Sequence, residues 1–165
     1  MHAPPFQPPL MKHPPGTSGA AVREWQLKMR ERGWNIVADG HYGPASKRIC
    51  MNFQREHQLA VDGIVGPITW KAAWEAAGTT PPYGPGVILH YGSVGEHVLA
   101  WERQVDSRGW RIQAIDGAFD AETESACKAL QSFKGLYPTG QIDHKTWNAA
   151  WQEKVPVAAE PTFPR

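Results

Sequence analysis

At 165 residues the chain has room for one ordinary domain or two very small ones. Seventeen Lys and Arg against sixteen Asp and Glu leave a formal charge of +1, which offers no electrostatic reason to bind nucleic acid or an anionic membrane. No apolar run approaches membrane-spanning length and two cysteines cannot build a multi-bridge framework, so stability rests on packing, with eight Trp to supply it.

The first nineteen residues are rich in proline and lack the charged start and apolar centre of a secretory signal. A role outside the cell then calls for release by lysis, carriage on a particle, or cleavage from a longer chain. The stretch itself reads as a flexible linker or as a lead-in packed on the module behind it. Val22, Trp25 and Met29 follow on one helical face, and Gly33 supplies the stop. A turn at Asp39-Gly40 and the pair Gly43-Pro44 open a second helix, whose apolar face is Ile49, Cys50 and Phe53. A turn at Asp62-Gly63 and a second pair, Gly66-Pro67, open a third, with Trp70, Ala73, Trp74 and Ala77 at helical spacing.

The pattern then repeats. Val22–Trp74 aligns with Val98–Trp151 at an offset of 76, becoming 77 near Ile115, with about 18 of roughly 53 positions identical. Trp25, Gly33, Trp34, Asp39, Cys50, Gln54 and Trp70 recur as Trp101, Gly109, Trp110, Asp116, Cys127, Gln131 and Trp147. Val94, Val98, Trp101 and Val105 form the corresponding first-helix face. Upstream, Pro4-Pro5-Phe6 aligns with Pro81-Pro82-Tyr83. The expected fold class is all-α, two tandem three-helix modules with Pro/Gly-rich lead-ins. Its boundaries are a lead-in over 1–19, a module over 20–78, a lead-in or linker over 79–93, a second module over 94–154 and a tail over 155–165.

In the first copy VREWQLKMRERGW and DGHYGPASKRICMNFQREHQLAVDGIVGPITW resemble the peptidoglycan-binding domain family. The Trp25-Gln26 and Gly33-Trp34 pairs are most similar to modules at the C-terminal end of actinobacteriophage endolysins. The resemblance implies non-catalytic binding of cell-wall peptidoglycan, through glycan, stem peptide or both. It also implies targeting of a phage lysin or phage particle to the wall. The second copy departs from the motif, because Gly43-Pro44 becomes Asp120-Ala121 and Gly66-Pro67 becomes Asp143-His144. Asp caps a helix with its carboxylate where Gly-Pro starts one with proline at the first position, so the fold survives while the surface changes.

Peptidoglycan offers sugar faces, N-acetyl groups and peptides with carboxylates and amines, so a binder needs aromatic faces, hydrogen-bonding groups and a carboxylate. The ligand-binding candidates are Trp34, Asp39, Tyr42, Gln54 and Asp62, with Trp110, Asp116, Phe119 and Gln131 as second-copy equivalents. Each has a structural alternative: aromatics pack cores, and Asp before Gly bonds its own turn. Under the ligand reading, Trp34→Ala with Tyr42→Ala weakens wall binding without unfolding, and the first module binds better than the second.

Catalysis finds no support. Cys50 and Cys127 recur on an apolar face and read as buried thiols. The seven histidines are scattered without metal-ligand spacing, and no Glu is shared by the copies, so neither a metal, a cofactor nor a carboxylate pair is implied. An alternative function from another class is a structural protein of a phage particle, with other virion proteins as partners.

Overall fold

A computed structural model describes residues 2–6 and 8–154; the tail expected over 155–165 lies outside them. Among the described residues the architecture is helical, with six α-helices and one two-stranded sheet. The described residues form two compact units, one running to Gly78 and taking in Lys154, the other Thr79–Glu153, so the second ends one residue before the expected boundary at 154.

In the first unit β1 (Thr17–Ser18) pairs antiparallel with β2 (His41–Tyr42) beside α1 (Ala20–Arg32), α2 (Pro44–Glu56) and α3 (Pro67–Glu75). Gly33, at φ 110°, closes α1 in a conformation that a Cβ disfavours. Pro44 and Pro67 begin α2 and α3 behind extended glycines. The three helices bury Val22, Trp25, Met29, Trp34, Tyr42, Ile49, Cys50, Phe53, Trp70 and Trp74 in one core.

The second unit repeats the plan with α4 (Glu96–Ser107), α5 (Ala121–Phe133) and α6 (His144–Ala149) around Val98, Trp101, Val105, Trp110, Phe119, Cys127, Leu130 and Trp147. Its helix starts use the other chemistry, since Asp120 and Asp143 accept from the Thr123 and Thr146 amides.

Both lead-ins pack on the module behind them. Met11 exchanges two backbone hydrogen bonds with Val65, at 3.1 and 2.9 Å, and Leu89 does the same with Ile142, at 3.1 and 2.8 Å. The Trp70 indole donates to the Pro4 carbonyl at 2.7 Å, and the Trp147 indole to that of Pro82 at 2.9 Å. Pro82 therefore answers to Pro4, one residue out of the register expected from Pro-Pro-aromatic. Phe6, edge-on to Trp70 at 5.8 Å, has Gly84 as its counterpart, and a Cβ on Gly84 would lie 3.0 Å from the Trp147 ring. Tyr83 stands in solvent.

Two other expectations change. Val94 is 76% exposed and precedes α4, where it bridges Ala118 instead of joining the core face. Ala77 is exposed beyond α3, which ends two residues earlier. The cause is Arg32, wholly buried, whose guanidinium donates to the carbonyls of Ala73, Ala76 and Ala77. These are the orphan acceptors of a helix C-terminus, and a charged donor satisfies them in place of another helical turn. Arg108 does the same for Trp151 and Gln152.

Candidate functional site

The turn that joins α2 to α3 is held by one side chain. Gln54, on the buried face of α2, donates through Nε2 to Asp62 Oδ1 at 2.8 Å, the Ile64 carbonyl at 3.1 Å and Thr69 Oγ1 at 3.0 Å. Its Oε1 accepts from the amides of Asp62 and Gly63. Gln26 of α1 treats the preceding turn alike, donating to Asp39, the His41 carbonyl and Ser46 while accepting from the Gly40 amide. The first module thus contains the same clasp twice: a helical amide, an Asp-Gly turn and a hydroxyl in the first turn of the next helix.

The second module keeps one clasp and alters the other. Gln131 binds Thr139, the Gln141 carbonyl, Thr146 and the Gly140 amide. At the place of Gln26 stands Glu102, fully buried, accepting from the Gly117 amide at 2.8 Å and Thr123 Oγ1 at 2.7 Å. Burial pushes its carboxyl above the usual range, against the lowering effect of those two bonds.

These clasps relocate most of the candidates. Trp34 and Tyr42 have no exposed surface, and Gln54, Trp110, Phe119 and Gln131 are buried as well. Trp34 packs edge-on against Phe53 at 5.9 Å and Trp110 against Phe133 at 5.1 Å. The Tyr42 hydroxyl donates to the Gly63 carbonyl at 2.6 Å. Six of the nine candidates are therefore interior and present no face to a polymer. A Trp34→Ala, Tyr42→Ala pair probes the core, where each truncation costs about 3–5 kcal/mol, and cannot weaken binding while sparing the fold.

The three aspartates lie at the surface. Asp39 Oδ1 accepts from the His41 amide and Gln26, which hold its carboxyl below the usual range; Asp116 Oδ1 accepts from the Ala118 amide. Asp62 Oδ1 accepts from Gln54 and the Ile64 amide, on a residue that is itself exposed.

Asp62 lines an open cleft. This cleft, of about 280 Å³, lies where the lead-in crosses the turn between α2 and α3. Leu10, Leu59, Ile64 and Ile68 give it apolar walls, and Gly66-Pro67 keeps one side low. A Cβ on Gly66 would sit 3.3 Å from Leu10, so the absence of a side chain sets the width. Ile68 is 73% and Leu10 44% exposed, apolar surface kept open to solvent beside a carboxylate. In the second module Thr139, Gln141, Asp143, His144 and Lys145 take the places of Asp62, Ile64, Gly66, Pro67 and Ile68, a more polar and more charged surface.

The two thiols lie inside the cores, where burial pushes both Cys50 and Cys127 up to about 12. At that value a thiol carries too little thiolate at neutral pH to act as a nucleophile. Among the described residues no three His, Cys, Asp or Glu side chains stand close enough to hold a metal ion.

A family model, the peptidoglycan binding domain, matches residues 18–73 and again 95–150. The zinc D-Ala-D-Ala carboxypeptidase of Streptomyces albus G is 38% identical over 63 residues, covering 36% of this chain and 25% of that protein. An N-acetylmuramoyl-L-alanine amidase of Mycobacterium tuberculosis is 35% identical over 57 residues, covering 34% of this chain and 14% of its own length. Among solved structures, the Burkholderia AP3 phage endolysin shares 31% identity at a TM-score of 0.38, covering 39% of this chain and 24% of that one. The matches to the two relatives are about the size of one module, so the chain spans a quarter or less of each.

Proposed function

This chain belongs to the peptidoglycan-binding domain family, whose domain it carries twice, and from that premise we propose that it holds bacterial cell-wall peptidoglycan through its first module without cutting it. The observation that carries the reading is the cleft between Leu10 and Ile68, with Asp62 on its wall. Apolar side chains suit the ring faces and N-acetyl methyl groups of the glycan, and a carboxylate oxygen accepts from a hydroxyl, an amide or the amine of a stem peptide. Of the nine candidates read from the sequence, Asp62 is the one retained as a ligand contact. The second module, with Asp143 and Lys145 at the equivalent positions, contributes less. Two weak sites on one chain still raise avidity for a polymer, because the second contact forms at high effective concentration.

The finer role is to bring a phage lysin or a phage particle to the wall, supported by the similarity of Trp25-Gln26 and Gly33-Trp34 to endolysin modules. Sedimentation with purified peptidoglycan tests the reading. The protein pellets with the wall above an unrelated helical control, and no enrichment over that control would overturn the proposal.

A further inference from the structure

The near-neutral total charge hides a division between the copies. Residues 1–78 carry nine Lys and Arg against six Asp and Glu, whereas residues 79–153 carry six against nine, so these two stretches stand at formal +3 and −3. Much of the difference sits on one helix. A second cleft of the first module, of about 370 Å³, is lined by His13, Pro44, Lys47, Arg48, Met51, Asn52 and Arg55, and none of these is acidic.

Its geometry depends on the lead-in and on a glycine. His13 closes one side, and its Nδ1 is buried with no hydrogen-bond partner. Gly63, at φ 70°, lets the stems of Lys47 and Met51 lie across the turn, since a Cβ there would come within 3.0 Å of Lys47 and 3.2 Å of Met51. The second module reverses the arrangement. Glu124, Ser125 and Ser132 replace Lys47, Arg48 and Arg55, and Glu124 pairs with Lys128 across Gly140 at 3.7 Å. The same backbone carries a cationic cleft in one copy and a self-neutralised pair in the other.

We infer that the α2 cleft of the first module is an oxyanion site, distinct from the Leu10–Ile68 cleft, that takes a phosphate or carboxylate group of the bacterial envelope. Lys47, Arg48 and Arg55 supply the charge, with guanidinium planes suited to two-oxygen contacts. Phosphodiester-linked wall polymers and the free carboxylates of stem peptides both present this chemistry.

The test uses the full chain and a Lys47→Gln, Arg55→Gln variant, with Lys145→Gln in the other module as control. Lys47 is half-buried and Arg55 exposed, so the fold is retained, which coincident thermal melts verify. Binding is measured at low salt to intact walls and to walls stripped of phosphodiester-linked polymers by hydrofluoric acid. The variant binds at least about tenfold more weakly, and raising salt from about 50 to about 500 mM removes most of the difference by screening. Loss on intact walls alone assigns the group to the phosphodiesters, and loss on both preparations assigns it to stem carboxylates. Binding within about twofold of wild type on both preparations overturns the inference and leaves the apolar-cleft reading standing, because that cleft binds at high salt too.

Discussion

Replacing Gln54 by Ala removes five hydrogen bonds in one step. Water can reach the exposed Asp62, but the Gly63 amide and Thr69 hydroxyl lie inside and would be left without this partner. Each buried polar group left unmet costs about 1–3 kcal/mol, and the missing side-chain volume adds about 1 kcal/mol. The sum, about 3–7 kcal/mol, approaches the whole stability of a unit this small. Gln131→Ala, which removes four hydrogen bonds, should cost the second module a similar amount. Urea unfolding followed by tryptophan fluorescence measures both losses. A Gln54→Ala variant that loses under about 1 kcal/mol and fails to bind wall while folded would refute the clasp and return Gln54 to the ligand site.

Three further outcomes follow from the packing. Glu102→Gln restores the amide of the first module's clasp and should stabilise the second module by about 1 kcal/mol at neutral pH. Burial raises the folded pKa of Glu102, so its contribution is fully present below the unfolded pKa and falls as pH rises through the folded one. The advantage of the variant should therefore shrink on acidification, and thermal melts across pH 4–7 that run parallel would contradict this. Cys50 and Cys127, both pushed up to about 12, should react with a maleimide at least about a hundredfold more slowly in the native chain than in urea, as thiol labelling will show. Phe6→Ala should cost about 1–2 kcal/mol by freeing the lead-in from Trp70, and the drop in melting temperature reads it.

What the sequence reveals and conceals follows from the range of each interaction. Helix starts are legible because their signals are local: Gly43-Pro44 and Asp120 each act within one turn. The cores are legible because apolar spacing survives duplication, as in Trp25 and Trp101. Gln26 escapes notice because its counterpart is Glu102, so the repeat shows no identity there although both side chains hold the same turn. Arg32 and Arg108 are identical between the copies, yet charge suggests solvent, whereas both cap carbonyls from inside the core. Trp34 and Tyr42 suggested ligand faces because they follow chain-reversing glycines or turns, and spacing does not report which way such a ring swings. The open cleft depends on Leu10 meeting Ile68 across 58 residues of chain, a long-range proximity that no local pattern encodes.

Sedimentation of an Ile68→Asp variant with purified peptidoglycan tests the central claim most directly. Ile68 is 73% exposed on α3, so the fold is spared while the apolar wall beside Asp62 gains a charge. Loss of the Ile68 contact should weaken binding by about tenfold, the cost of about 1.4 kcal/mol of apolar contact, while Lys145→Asp at the matching position of the second module changes it by less than about twofold. Equal binding by Ile68→Asp and wild type would contradict the placement of the site in the first module's cleft.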